Sequence, residues 1–441
     1  MKFEIRIGRE VIESNAGLAL AGKILAGFER ELQRLDDIAI RGMVDPKIKN
    51  SDVVRSCVGL QVLGRTNFED IELFRTSGYF RRTLDIKRVP SCETLRQRLD
   101  GSEGRFDAVL KAVSVTLLGH AKLTSVRTFM GEYMPVDVDV SPFDNSGSHK
   151  EGVGRTYKGD DGYAPNFAYI GNEGYMLNCE LRPGTQHCQK GTPDFLRETF
   201  GFAERLGLQV AVLLRMDSGN DAAENIALCP PGAYYLIKRN LRRENIEDWL
   251  AVAKTHGAAI RPRPGKTVYL GECRRRVELE KDRVEELRIV FEVTERTTLA
   301  SGEALLLPKV DVETWWTNLK ETPATVIDLY HEHGTSEQYH SELKSDMGVE
   351  RLPSGKFTTN GTVLRGAMVA FNILRRIGQE LLALPEALPE QVQVGRRRLR
   401  SVLQDIMYLG CRYVRTARRH FLNLGANSLW GRAFVPLYGR L

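Results

Sequence analysis

The sequence predicts a mixed α/β protein, with a strand-rich core set between a helical N-terminal region and a helical, basic C-terminal one. Three observations predict it. Apolar residues recur at helical spacing through the first ~130 positions. From Tyr133 the pattern changes to alternation and short apolar runs, which suit strands. From Asp328 the helical pattern returns, and between Gly395 and the end ten arginines accompany a single acid, Asp405.

The chain has 441 residues, which at roughly 100–200 residues per domain implies about two to four structural units. Apolar residues make up 42% and charged residues 27%, a globular composition that excludes global disorder and a disulfide scaffold. The net charge of +6 is a mild excess, so only the placement of charge informs on partners. No stretch reaches the roughly 20 apolar residues a bilayer demands, and Lys2, Glu4, Arg6 and Arg9 interrupt any signal peptide. A cytoplasmic protein with no membrane partner is expected. Seven scattered cysteines without a CxxC pair fit a reduced chain without structural zinc. His187 and Cys188 lack partners at zinc spacing.

The elements follow in order. Leu18, Leu20, Ile24, Leu25 and Phe28 form a helical stripe. Asn50-Ser51-Asp52 is a capping sequence ahead of Val53, Val54, Val58 and Leu60, and Thr66-Asn67 precedes another helix start. Ser91, three residues before Thr94, caps a short basic helix through Leu99. Short helices of this kind are compatible with a helix-turn-helix reader of DNA. Val136 to Val140 alternates strictly, with valines on one face and Asp137, Asp139 and Ser141 on the other. Strands are expected at 168–170 and 176–181, a helix at 193–206, and a doubly buried strand from Gln209 to Met216. A short helix at 220–227 and a strand at 233–238 complete this part. Residues 240–325 read as a β-rich insertion ending at Trp315 and Trp316. The predicted units are 1–132 (helical, DNA-binding), 133–239 (core, first part), 240–325 (insertion), 326–385 (core, second part) and 386–441 (basic, helical).

Three acids stand out. Asp139 lies in mid-strand, where a carboxylate is unfavourable without a cation, and Asp137 on the same face is its rival. Asp217 closes an apolar strand and opens a tight turn, a common position for ligand contact in α/β proteins. Glu337 and Lys344 are seven residues apart, and on a helix they share a face, as does Tyr330 if the helix reaches back past Gly334. Two strand-borne aspartates and a helix-borne glutamate are hard oxygen donors suited to Mg²⁺. No Ser/His/Asp, Cys/His or Walker A arrangement competes.

These segments resemble the DDE transposases of bacterial insertion sequences, in particular the group with a Tyr-x2-Arg-x3-Glu-x6-Lys signature. Tyr330, Glu337 and Lys344 stand at the signature spacing, while His333 occupies the usual arginine position. Glu350-Arg-Leu-Pro-Ser354, Phe357, Asn360 and Ala370-Phe-Asn372 resemble the segment after the glutamate. Leu214-Arg-Met-Asp217 and Val136-Asp-Val-Asp139-Val-Ser141 resemble the two aspartate strands, and the Asp-x-Ser pattern favours Asp139 over Asp137. The resemblance covers residues 50–380. It implies an RNase H-like mixed-sheet core and a bacterial, nucleoid-associated enzyme that cuts and joins double-stranded DNA at transposon ends. Asp139, Asp217 and Glu337 would hold two Mg²⁺ ions, for which Mn²⁺ can substitute. Tyr330, Lys344 and the residue at 333 would contact phosphate, although histidine lacks arginine's bidentate fork. Trp315 and Trp316 are candidates for stacking on DNA bases, with core packing of the insertion as the favoured alternative. Arg396, Arg397, Arg398 and Arg400 are candidates for backbone contact. A homodimer is expected, because two ends must be joined at once. The alternatives are a catalytically decayed, DNA-binding-only relative, favoured by His333, and a carboxylate-pair glycosidase, which explains neither Lys344 nor the C-terminal arginines.

Overall fold

The computed structural model describes residues 3–44, 46–281, 283–388 and 394–441. Residues 389–393, in the expected C-terminal unit, lie outside the described residues. The strands that position the site are β1 (Glu132–Val140), β2 (Asn166–Ile170), β3 (Tyr175–Glu180), β4 (Ala211–Met216) and β5 (Tyr234–Lys238). They agree with the alternating and apolar runs of the sequence. β1, β2 and β3 form an antiparallel meander, with the turn between β2 and β3 at Gly171 and Gly174, both at positive φ. β4 then pairs with β1 in parallel, and β5 with β4 likewise, so the C-terminal ends of β1, β4 and β5 point the same way.

The insertion comprises β6 (Ala258–Arg263), β7 (Lys266–Glu280), β8 (Arg283–Thr298) and β9 (Ala304–Thr317). These strands are not a separate sheet. β9 pairs antiparallel with β5, and the ten-stranded sheet runs β6-β7-β8-β9-β5-β4-β1-β2-β3, with the two-residue strand Val126–Arg127 pairing beside the start of β1. One element here differs from the β-rich expectation: Ile246–His256 is a helix, capped by Asn245, whose side chain accepts from the Glu247 amide. Its buried Trp249 and Ala253 stand four apart, the spacing that puts them on one helix face.

The main helices are α1 (Leu18–Ala26), α2 (Asn50–Gln61), α3 (Cys92–Ser102), α4 (Asp107–Gly119), α5 (Thr192–Arg205), α6 (the Ile246–His256 helix), α7 (Pro323–His331), α8 (Ser336–Ser341), α9 (Phe357–Leu382) and α10 (Gly431–Arg440), with short helices at Glu29–Gln33, Gly78–Thr83, Ala223–Ala227 and Leu399–Val402 and 3-10 and π turns between. α9 is buried along most of its length. It shares one apolar cluster with the N-terminal helices, with Leu399 to Met407 and with Phe434 and Leu437. Asn372 in mid-helix docks α9 onto the sheet: its amide oxygen accepts from Met176 N, and its amide nitrogen donates to Met176 O and Ser114 Oγ, all at 2.8 Å. A buried asparagine with its partners satisfied fixes a single register between helix and strand. Asn360 does the same for the loop before α9, bonding Ser354 N and O and the Tyr163 hydroxyl.

The C-terminal region departs from its all-helical expectation. Cys411–Thr416 (β10) and Arg419–Leu424 (β11) form a hairpin, and β10 also pairs with Ile12–Glu13. The cause is period-two burial: Cys411, Tyr413, Leu422 and Leu424 turn inward, and Arg412, Phe421 and Asn423 turn outward. Ala417 takes the turn at a φ of 52°. No helix among the described residues is long and apolar enough to cross a membrane.

Candidate active site

Residues 323 to 346 form an almost continuous helical path. α7 tightens into one 3-10 turn at Glu332–Thr335, passes into α8, and ends in a π turn at Glu342–Asp346. Gly334 therefore does not break the path. Because the path is unbroken, residues 330, 333, 337, 340 and 344 fall on one face. π turns inside helices recur at functional sites.

That face looks onto the C-terminal ends of β1 and β4. A cavity of about 690 Å³ lies between them, lined by Asp139, Asp217, Tyr330, His333, Glu337 and Lys344. All the acids and signature residues singled out in the sequence converge here except Asp137. Tyr157, Lys158, His340 and Glu350 also line it. His340 was legible in principle, being three residues after Glu337 on the same face. Tyr157 and Lys158 come from an irregular loop, for which the sequence carried no periodic signal.

The two rival aspartates are separated by their partners. Asp137 is buried, and both its oxygens are taken by Arg215, at 2.6 and 2.8 Å. His333 Nδ1 lies 2.8 Å from Asp137 Oδ1. Burial alone would raise the Asp137 pKa, but Arg215 and His333 hold it below the ordinary carboxylate range. Asp139 keeps a side chain 21% exposed to the cavity, and its Oδ2 lies 3.2 Å from His340 Nε2. His340 is buried, and its Nδ1 is 3.1 Å from the Tyr169 hydroxyl. Burial lowers the His340 pKa despite the neighbouring carboxylate.

Asp217 caps the turn after β4. Its Oδ1 accepts from Gly219 N at 3.1 Å and Asn220 Nδ2 at 2.9 Å. Burial, and then the charge of Asp139, push its pKa up. Tyr157, which donates to Val140 O at 3.3 Å, is pushed up to about 12 by burial and by the nearby aspartates. The Lys344 pKa is lowered, first by burial, with Lys158 adding to the effect and Glu350 opposing it. The cavity thus holds clustered negative charge whose mutual repulsion a cation would relieve. Among the described residues, however, no three His, Cys, Asp or Glu side chains close tightly around a single point.

The remaining predicted contacts sit elsewhere. Trp315 is fully buried against Tyr330, with ring centroids 5.6 Å apart. Trp316 is nearly buried, donates to Asp221 at 2.8 Å, and lies under the Arg239 guanidinium at 4.5 Å. Both rings are packing elements, and neither offers a free stacking face. The Arg396–Arg400 run is likewise engaged. Arg396 bonds Glu342 and Gln338, and Arg397 is buried with Asp405 beneath Trp430. Arg398 and Arg400 share Asp346, at 2.8 and 3.1 Å. This run clamps the C-terminal segment onto the π turn of the glutamate path and does not present an open row of charge. On α3, Arg98 is buried against Asn50 and Ile48, and Arg96 pairs with Glu93.

The profile of the family described as transposase DDE domain group 1 matches residues 14–441. The chain belongs to this family. The match covers nearly the whole length of the DDE domain protein, hairpin included. No curated protein matches it. A solved structure, the piggyBac transposase synaptic complex with hairpin DNA, aligns at 10% identity over 90% of this chain and 80% of that one, with a TM-score of 0.38. Membership places the chain in a family of DNA-cleaving, divalent-metal-using enzymes.

Proposed function

We propose that this DDE protein is an active transposase of an insertion sequence. It would bind the terminal inverted repeats, hydrolyse a phosphodiester bond to free a 3′-hydroxyl, and use that hydroxyl to attack target DNA. The observation that carries the reading is the meeting of Asp139, Asp217 and Glu337, from two parallel strand ends and one helix, in a cavity that also holds Lys344.

The donor set fits divalent ions. The three side chains are carboxylates, Asp139 and Asp217 repel each other without a cation, and the hydrogen bonds from Gly219 and Asn220 to Asp217 both fall on Oδ1. Asp139, Asp217 and Glu337 would hold two Mg²⁺ or Mn²⁺ ions. Bound there, the ions would activate the attacking oxygen and stabilise the leaving one. The chain's own groups do the rest. Lys344 supplies positive charge to a scissile phosphate oxygen, and Tyr330 presents its hydroxyl to the same cavity. His340 fixes the Asp139 carboxylate through Oδ2. His333, tied to Asp137, secures the glutamate path against β1. A homodimer would carry the two transposon ends together.

The test is cleavage of a labelled duplex carrying the inverted repeats that flank the gene, with Mg²⁺ and with EDTA. A cut at the repeat boundary, lost with EDTA and in Glu337→Gln while end binding survives, is the expected result. Full activity of Glu337→Gln would sink the assignment. The second reading, a decayed protein that only binds DNA, rests on the burial of His333 against Asp137, which leaves the family's phosphate-binding arginine without an equivalent at 333. Robust nicking by purified protein would exclude it.

A further inference from the structure

The arginines that stood out most in the sequence, 396 to 400, are spent on internal acids. The four of the hairpin that follows are not. Arg412, Arg415, Arg418 and Arg419 are all exposed, and β10 and β11 with their turn contain no acid. None of the four lies within ion-pair reach of a carboxylate among the described residues.

The hairpin register arranges them. Cys411 pairs with Leu424 and Tyr413 with Leu422, and this face packs inward, with Tyr413 against Tyr79 at 5.6 Å. Arg412 pairs with Asn423, Val414 with Phe421, and Thr416 with Arg419, and this face turns to solvent. Arg415 and Arg418 crown the tip. The outer face therefore carries arginines at both ends of the ribbon and Phe421, 44% exposed, between them. The inner face holds the ribbon rigid: the Tyr413 hydroxyl lies 2.6 Å from His420 Nδ1, and the two rings stack at 4°.

We propose that this β-ribbon is a duplex DNA-binding element, separate from the carboxylate cavity, that inserts into a groove of the DNA on which the enzyme acts. The inference rests on the transposase reading above. Beyond its base, where Ile12–Glu13 pairs with Arg412 and Cys411, the hairpin is two-stranded. A two-stranded ribbon fits the major groove, its arginines reach phosphates and guanine edges, and an exposed aromatic ring can contact a thymine methyl. No residue of the ribbon lines the cavity, so its contribution is affinity and register along the duplex.

The test uses the full chain and a fluorescent inverted-repeat duplex, with binding measured by anisotropy across a range of salt concentrations. The variants are Arg412→Gln/Arg415→Gln/Arg418→Gln/Arg419→Gln and the same four positions changed to Lys. Every arginine that neutralises a phosphate adds about 0.9 to the steepness of log affinity against log salt. The Gln variant is therefore expected to bind more weakly and with a shallower slope, and the Lys variant to keep the wild-type slope. A Gln variant with wild-type affinity and slope overturns the ribbon and leaves the transposase reading standing. A Lys variant with a flattened slope also overturns it. Wild-type protein without salt-dependent DNA binding removes both readings. A changed oligomeric state in the Gln variant, with the slope intact, assigns this face to a second copy of the chain and overturns the DNA role.

Discussion

Arg215 closes on Asp137 with two prongs, Nε to Oδ1 at 2.6 Å and Nη2 to Oδ2 at 2.8 Å. The pair lies one residue row inside the cavity, bridging β1 and β4, and Arg215 Nη1 also donates to Leu329 O at 2.8 Å. The same salt bridge that joins two strands therefore anchors α7, the start of the path that delivers Glu337. An aspartate and an arginine two residues short of Asp139 and Asp217 act as a brace for the cavity.

Breaking this brace should cost stability. Removing one partner of a buried pair typically costs about 3–5 kcal/mol, because the other is left charged and unpaired. Arg215→Met is expected to lower the urea midpoint accordingly, and Asp137→Leu/Arg215→Met to recover most of the loss. Asp139→Asn should behave in the opposite way, abolishing cleavage with little change in the midpoint. A stable, inactive Asp137→Asn beside an active Asp139→Asn would reverse the assignment.

His333→Arg would restore the family signature on paper. Here the position is buried beside Arg215, so the new guanidinium meets a like charge in a space filled by an imidazole. Lower thermal stability and no gain in nicking are expected. A gain in cleavage by the variant would show that 333 reaches the substrate after all.

Trp315→Ala and Trp316→Ala should each destabilise the fold by about 3–5 kcal/mol, as large-to-small changes of buried aromatic residues do. DNA affinity per folded molecule should be unchanged. Weaker end binding in a variant of undiminished stability would return these rings to the DNA surface.

Glu244 offers a pH test away from the carboxylates. It accepts from Arg239 and Arg275 at 2.6 Å and from Trp249 Nε1 at 2.8 Å, tying the residue that follows β5 to β7 and α6. Burial works against its charge, but these three donors hold its pKa at about 2, below the ordinary 4.5. A depressed carboxylate contributes stability above its unfolded pKa and loses it as pH falls toward the folded one. Glu244→Gln should therefore be less stable than wild type at pH 7, and the gap should close between pH 4.5 and about 2. A gap of constant size across that range would mean that the charge is not what matters.

The strands of the core were legible because burial on one face imposes a period of two, and the signature residues because a helix imposes its own. Asp139 and Asp137 were not separable in the sequence, since alternation places both on the same face. Only the third dimension supplies Arg215 and His333, 78 and 196 residues away from Asp137. The Arg396–Arg400 run misled for the same reason. Only Arg397 has a nearby partner, Asp405; the others, Glu342 and Asp346, are more than 50 residues earlier, and a local charge count cannot see them. The hairpin at 411–424 was hidden beneath those arginines, although Tyr413, Leu422 and Leu424 carry its inward pattern. Asn360 and Asn372 belonged to the resembling run and proved to be fasteners between α9 and its surroundings.

The pairing of β9 with β5 has a mechanical meaning. Trp315 lies opposite Lys238, so residues 304 to 314 continue past the end of β5, on the side where β1 and β4 deliver their carboxylates. β7 and β8 travel with them, joined strand to strand. At about 3.3 Å per residue, β8 from Val290, opposite Trp315, to Thr298 rises roughly 26 Å, with one register irregularity after Arg296. The overhang is a riser joined through β5 to the strands that carry Asp139 and Asp217. The length of β7, β8 and β9 therefore sets how far their tip stands from the three acids, and lengthening them would move the tip without shifting a carboxylate.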